Sequence, residues 1–307
     1  MDETSASGPS VQSIKISIVT VTYNSETALR EGLPSWRAAL HYFSDQGFGA
    51  WELVVVDNGS SDSSVELAGE FDDKSSVISL GENRGFAAGC NVGAAKASGE
   101  ILLFLNPDVI LDHEALAELS AALMKLSDAG AVCGRMRNRD GTFQSTCRNV
   151  PTALNIFASR GSLIGRLFPD LTYTLPDSAK PVAVPAAAAT CLAMKRSFFN
   201  ELGGFDERFF MYFEDTDLSL RILESGKKVY FIPTAGAVHS WGGSSGLSNS
   251  SAGSRVLPSA RARWHHRSAL RFFRKHHPGF FSWIILPLAL ACNLTLSSLL
   301  RRFGVPQ

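Results

Sequence analysis

The sequence predicts an α/β fold built on a Rossmann-like, mostly parallel sheet with helices on both faces. Short apolar, β-branched runs alternate with helix-compatible stretches across the first ~130 residues, the pattern of a doubly wound sheet. Polar clusters follow three of those runs, at Tyr23-Asn24, Asp57-Asn58-Gly59-Ser60 and Asn106-Pro107-Asp108. Ligands of such sheets bind beyond the carboxyl ends of the strands, which is where these clusters fall.

Taken in order, Lys15 to Tyr23 is the first buried strand and Glu26 to Leu40 a helix. Trp51 to Val56 is a second strand, and Asp62 or a neighbouring serine can cap the helix after it. Val77 to Leu80 is a short third strand, Phe86 to Ala97 an Ala- and Gly-rich helix, and Ile101 to Leu105 a fourth strand. Beyond them, Asn138-Arg139-Asp140-Gly141 marks a hairpin turn and Pro151 to Lys180 an irregular insertion. Val182 to Met194 returns to strand-like sequence, and Phe213 to Glu224 is a helix that opens on acids, where the helix dipole favours them. Gly242 to Ser259 reads as a Gly/Ser-rich loop.

A chain of 307 residues that is 45% hydrophobic has ample material for a core, which excludes a disordered class. Met1 to Ser13 reads as a disordered leader, without the basic start and apolar stretch of a signal peptide. The 5 cysteines form no CxxC pair, so neither a disulfide framework nor a zinc site is expected, and a reducing cytoplasm is the natural compartment. Charge balances overall, but Glu224 is the last acidic residue, and Lys227, Lys228, Arg255, Arg261 and the later arginines follow it unopposed. A basic tail on an acidic body points to an anionic partner. The apolar run Phe280 to Leu300 turns that expectation towards an anionic membrane surface and away from nucleic acid. Its length matches the ~20 residues that span a bilayer. Pro287, Asn293 and Thr295 interrupt it, so packing on the protein or lying in the interface are the alternatives.

Three constellations carry chemistry. Asp108 at a strand end, with Asn106 beside it, suits a hard cation that keeps phosphate oxygens as further ligands; read alone, Asn-Pro-Asp is also ordinary turn chemistry. Glu214, Asp215 and Asp217 crowd three carboxylates into four positions, an arrangement that repels itself unless a cation or a task offsets it. A carboxylate there can serve as a general base, and helix-start acids are the plainer account of at least one. Asn83-Arg84-Gly85-Phe86 and Gly89-Cys90-Asn91 lead a Gly-rich turn into a helix start, an anion site or simply tight helix–sheet packing. His239 ends a strand-like segment before the Gly-rich loop, where it is either structural or a metal ligand.

The order of these motifs, from Val21-Thr22-Tyr23-Asn24 and Val56-Asp57-Asn58-Gly59-Ser60 through Asn83-Arg84-Gly85-Phe86 and Leu105-Asn106-Pro107-Asp108 to Gly203-Gly204-Phe205-Asp206-Glu207, Phe213-Glu214-Asp215-Thr216-Asp217-Leu218 and Val238-His239, resembles the family-2 inverting glycosyltransferases of GT-A fold. It is most similar to their rhamnosyltransferase-like branch, acting in cell-surface polysaccharide assembly. The resemblance implies a nucleotide-sugar donor, dTDP-L-rhamnose first, and a glycan or lipid-diphosphate-linked acceptor. It implies that Thr22, Asn24 and Asp57 hold base and ribose, and that Asn83, Gly85 and Asn91 line the donor pocket. Asn106 and Asp108 stand at the family's metal motif, with His239 as a further ligand for Mg²⁺ or Mn²⁺. Asp215 matches the catalytic base and Glu214 a neighbouring acceptor contact.

Two departures stand out. The metal motif opens on Asn rather than Asp, and Pro185 to Thr190 replaces the aromatic and Gly usual before Cys191. The domain reading is a leader over 1–13, a GT-A domain over 14–245, and a basic linker, helix and apolar C-terminal helix over 246–307. The enzyme is placed in the cytoplasm, peripheral or anchored at the inner face of the membrane. A nucleotidyltransferase and a non-catalytic sugar- or lipid-binding protein of the same fold are the alternatives.

Overall fold

A computed structural model describes residues 14–152, 155, 156, 173, 175, 178–239 and 260–291. The expected leader, the Gly242–Ser259 loop, most of the 151–180 insertion and the apolar run beyond 291 lie outside the described residues.

The alternation read from sequence is present as β1 (Ile16–Thr22), α1 (Glu26–Asp45), β2 (Trp51–Asp57), α2 (Ser64–Gly69), β3 (Ser75–Ser79), α3 (Phe86–Lys96) and β4 (Ile101–Leu105). Next come β5 (Val109–Leu111), α4 (Ala115–Lys125), β6 (Ala129–Arg137), β7 (Phe143–Gln144) and β8 (Cys147–Arg148). Then follow β9 (Val182–Val184), β10 (Ala186–Ala187), β11 (Cys191–Lys195), α5 (Arg196–Glu201), α6 (Glu214–Glu224), β12 (Lys228–His239) and α7 (Ala260–His276). A last helical segment covers 280–291 and contains the π-helical turn Phe281–Ile285.

The large sheet has the order β3-β2-β1-β4-β11-β6-β12-β5. β3, β2, β1 and β4 are parallel, as expected. The other half is mixed, because β11 runs antiparallel to both β4 and β6, and β5 antiparallel to β12. The single strand-like stretch read at 182–194 is divided among three partners: β9 joins β12, β10 joins β8, and only β11 enters the sheet centre. No helical crossover precedes β11 within that stretch, so nothing obliges it to run parallel.

Alternate strand residues serve opposite faces. Ile16, Ile18, Leu53, Val55 and Leu103 pack with α1 and α4, while Val19, Val21, Val54, Val56, Leu102 and Phe104 pack with α3, α5 and α6. Helix α1 runs past Leu40 to Asp45 with Pro34 inside it. Its buried stripe Leu29, Leu33, Trp36, Leu40 and Phe43 explains why. An interior proline costs ~3 kcal/mol, whereas each large side chain removed from water gains ~1.5–3 kcal/mol. Gly89 and Gly93 of α3 sit where a Cβ would lie 2.7 and 2.4 Å from Val21 and Val19 of β1, so both serve close helix–sheet packing. Helix α7 and the last segment pack on the body through Phe209, Phe213, Ala269, Phe272, Phe273, Leu286 and Leu290.

Candidate active site

The register Thr22↔Asp57 brings the ends of β1 and β2 level. There the buried Asp57 accepts from Thr22 Oγ1 (3.1 Å), from the Gly59 amide (3.0 Å), from the Ser60 amide (2.9 Å) and from the Ser60 hydroxyl. Asn24, left-handed at φ 48°, accepts from the Ser61 amide on its side chain (2.8 Å) and donates its own backbone amide to Ser60 Oγ (2.9 Å). Thr22, Asn24 and Asp57 thus cross-link two strand-end loops into one rigid ledge.

The turn before α3 is also held from within. Asn83 Oδ1 accepts the Gly85 amide (3.0 Å), Asn58 Oδ1 the Arg84 amide (3.3 Å), and the Phe210 carbonyl the Phe86 amide (3.0 Å). Three successive donors expected to face an anion are therefore committed to protein acceptors. Gly85 is required at this joint: φ is 89° and a Cβ would lie 2.3 Å from the Phe210 carbonyl oxygen. The Asn91 carboxamide is likewise committed, donating to Phe205 O (2.8 Å) and Glu207 (3.0 Å) and accepting the Phe205 amide (2.9 Å). Gly85 and Asn91 join the turn and helix α3 to the loop that precedes α6, and Asn83 braces the turn from within.

Asp108 and His239 are brought together by β5, whose Val109 pairs with His239. Helix α1 clamps the loop from outside, Trp36 Nε1 donating to Val109 O (2.8 Å) and Ser35 Oγ accepting from the Leu111 amide (3.0 Å). Asp108 is 5% exposed, neither carboxylate oxygen accepts a hydrogen bond, and His239 Nε2 lies 3.2 Å from Oδ1.

The hydrogen-bond chain behind His239 assigns its tautomer. Asp140, an obligate acceptor, takes the Thr142 hydroxyl (2.5 Å), so Thr142 Oγ1 accepts from Asn138 Nδ2 (2.9 Å). Asn138 Oδ1 then accepts from Gln144 Nε2 (3.0 Å), which leaves Gln144 Oε1 to accept from His239 Nδ1 (2.8 Å). With the proton on Nδ1, Nε2 is the ring nitrogen turned towards the Asp108 carboxylate. An imidazole nitrogen and a carboxylate oxygen 3.2 Å apart are spaced as two ligands of one ion would be, and the relay on Nδ1 is the outer shell that metal-binding histidines keep. These residues fit a divalent ion. Among the described residues no group of three or more His, Cys, Asp or Glu forms, and Asn106, water and substrate oxygens are the further ligands such an ion could take. Asn106 follows β4, half-buried, its amide donated to Thr190 O (3.0 Å).

The carboxylate turn is strained. Tyr212 and Phe213 are both left-handed at φ 69°, a conformation that costs of order 1–3 kcal/mol for each bulky residue. Helix α7 holds it: Ser268 Oγ donates to Met211 O (2.8 Å), Trp264 packs on Phe210 and Phe272 on Phe213. Asp217, fully buried, ties α6 to α7 by accepting from Lys275 (2.5 Å) and His276 (2.6 Å) as well as Arg221 (2.9 Å). Burial opposes its charge, but these donors prevail and hold its carboxyl below the usual range. Part of the basic tail therefore answers acids of the body rather than an external partner.

Asp215 accepts from Arg148 Nη2 on Oδ2 (2.6 Å) and from the Thr216 amide on Oδ1 (2.6 Å). Glu214, 7% exposed, leaves Oε2 without a partner. Removal from water pushes its carboxyl up to about 8, and the adjacent Asp215 charge adds to the effect. The folded protein thus holds a proton there that the unfolded chain releases near its ordinary 4.5. The associated stability is complete below that value and is lost as pH rises through about 8. Glu214→Gln is accordingly expected to melt above wild type at about pH 9, the gap closing towards about pH 5, at ~1.4 kcal/mol per unit of displacement. Thermal melts across that range check it; a gap that widens on acidification contradicts the buried neutral carboxyl.

Gln144 and Arg148, which no motif marked, turn out to link the two centres. Only four residues apart, they contact His239 and Asp215, so one extended stretch of at most ~14 Å joins the cation pair to the carboxylates.

Residues 17–203 match glycosyl transferase family 2. This chain belongs to that family. The glycosyltransferase is 27% identical over 274 residues to the N-acetylglucosaminyl-diphospho-decaprenol L-rhamnosyltransferase of Mycobacterium tuberculosis, covering 81% of this chain and 85% of that one. It is 26% identical over 230 residues to the O-antigen chain rhamnosyltransferase WbaN of Salmonella anatum, covering 73% and 65%. The mannosyltransferase PcManGT of Pyrobaculum calidifontis, solved with GDP-Man and Mn²⁺, superposes with a TM-score of 0.57 at 19% identity, covering 98% and 79% of the two chains. GalNAc-T7, solved with UDP, GalNAc and Mn²⁺, gives 0.58 at 16%, covering 95% and 55%. The structural likenesses establish the GT-A fold, the family match makes the protein a glycosyltransferase rather than a nucleotidyltransferase, and the relatives include rhamnosyltransferases.

Proposed function

We propose that this glycosyltransferase is inverting and cation-dependent, and moves L-rhamnose from dTDP-L-rhamnose, ahead of UDP- or GDP-hexoses, onto a glycan or lipid-diphosphate-linked acceptor in cell-surface polysaccharide assembly. The observation that carries this reading is the facing pair of Asp108 and His239, joined by one short segment to the Glu214-Asp215 turn. Mg²⁺ or Mn²⁺ held by Asp108 and His239, with Asn106 alongside, would neutralise the leaving diphosphate. The ledge of Thr22, Asn24 and Asp57 receives the base and ribose on a surface already rigid before binding, and Asn83, Gly85 and Asn91 keep its flank in place. Asp215 takes the proton of the attacking hydroxyl, and the neutral Glu214 donates a hydrogen bond to the acceptor.

Two observations support the acceptor class and location. The mycobacterial relative is named for a diphospho-decaprenol substrate. The tail carries no acid after Glu224, and Phe280, Trp283 and Leu288 are exposed. We place the enzyme at the inner, anionic face of the cell membrane; among the described residues no helix is long and apolar enough to cross it. Titration calorimetry with a panel of nucleotide sugars and Mg²⁺ or Mn²⁺ tests the donor. The expected result is binding of dTDP-L-rhamnose in preference to UDP- and GDP-sugars. Tight binding of another donor with none of dTDP-rhamnose overturns the donor assignment.

A further inference from the structure

We infer that a basic pocket beside the end of α7 receives the phosphate of a lipid headgroup, while the outward face of the following helix lies in the membrane interface. This rests on the membrane location proposed above and names the surface that makes the contact.

The pocket is lined by Arg208, Phe209, Arg271, Arg274 and Lys275, with a volume of about 190 Å³. That space holds a phosphate group and falls short of the ~300–1,000 Å³ of a pocket for a whole small molecule. Asp206 offsets two of its cations, accepting from Arg208 (2.6 Å) and Lys275 (2.8 Å). Arg271 and Arg274 form no ion pair among the described residues. Arg271 donates to the Arg208 carbonyl, and the Arg274 guanidinium stacks 4.4 Å over the Trp283 ring. With Arg267 they recur at helical spacing along one exposed stripe of α7.

Trp283 joins this charge to an apolar surface. In segment 280–291, Ser282, Leu286 and Leu290 point into the protein at successive turns. Phe280, Trp283, Ile284 and Leu288 occupy the other side and are 71%, 55%, 48% and 63% exposed. A row of large apolar side chains bordered by unpaired arginines matches the two layers of a membrane surface, with phosphates outermost and acyl chains beneath. Nucleic acid offers the phosphates but no apolar layer for this row, so the geometry favours lipid.

Co-sedimentation of full-length protein with phosphatidylglycerol vesicles, and separately with phosphatidylcholine vesicles, tests the assignment. Wild type should prefer the anionic vesicles. The double variant Arg271→Gln/Arg274→Gln should bind them roughly thirtyfold more weakly, ~1 kcal/mol per charge, and bind neutral vesicles as wild type does. Arg271→Lys/Arg274→Lys should retain the preference, and matching melting temperatures and donor binding should show that both variants fold. A wild type that binds neither vesicle removes the membrane reading and this inference with it. A wild type that prefers anionic vesicles beside an equally strong glutamine variant removes the pocket alone. Inorganic phosphate bound as tightly as the vesicles would make it a free-anion site, and the lipid assignment would fall.

Discussion

Asp108→Ala is expected to reduce turnover to background while leaving the metal-free protein as stable as wild type or slightly more so. The two effects separate because of what Asp108 does in the fold. Its carboxylate is buried, accepts no hydrogen bond and faces His239 Nε2 at 3.2 Å. A buried charge without a donor detracts from stability, so its removal relieves a penalty instead of breaking a contact. A group kept at such a disadvantage is explained by what it binds.

The paired measurement is a thermal melt with and without Mn²⁺ in the presence of nucleoside diphosphate. A ligand bound only by the folded state stabilises it by RT ln(1 + [L]/Kd), ~2.7 kcal/mol at a hundredfold excess over Kd. Wild type should therefore gain in melting temperature and Asp108→Ala should not. Gln144→Leu should fall between them, since it frees the His239 tautomer without removing a ligand. Full activity of Asp108→Ala in chelator would remove the cation from the reaction.

The parts of this protein legible in sequence are those set by local pattern. β1, β2 and β4 are runs of apolar residues bounded by polar ones, and the turns at their ends carry residues whose chemistry is visible without a fold. His239 could be suspected but not placed. The strand that brings it to Asp108, β5, is three residues long, and its partner lies more than a hundred residues away. Gln144 and Arg148 matter through contacts with single distant residues, and no spacing announces them. The turn at Tyr212 and Phe213 was illegible for a different reason: bulky aromatics disfavour the left-handed backbone they adopt, and α7 from the far end of the chain holds them there. Places where local preference and final structure disagree are where function tends to sit. Part of the tail's basic side is used inside the protein, where Lys275 and His276 close on Asp217, a pairing that no sequence spacing shows.

Asp215→Asn is expected to lower kcat by ~10²–10⁴, or roughly 3–5 kcal/mol of barrier, with donor affinity near wild type. The acceptor hydroxyl is too weak an acid to ionise at neutral pH, so its proton must leave as the new C–O bond forms, to a base on the face opposite the departing diphosphate. Two carboxyls compete for that role. Glu214 is intrinsically the stronger base, but burial holds it protonated to about 8, so near neutrality little of it can accept a proton. Asp215 is paired with Arg148 at 2.6 Å, and Oδ2 keeps a second lone pair for the incoming proton. The division of labour follows: Asp215 accepts, and neutral Glu214 donates a hydrogen bond that orients the acceptor. Glu214→Gln preserves a donor at that position, so its effect should fall on acceptor KM more than on kcat. The pH profile separates the roles further. In wild type, acceptor KM should rise as pH passes about 8, because Glu214 then loses the proton it donates and becomes a second negative charge beside Asp215. In Glu214→Gln that alkaline limb should vanish. A nearly active Asp215→Asn beside an inactive Glu214→Gln, with rate rising through the same pH, would exchange the two roles.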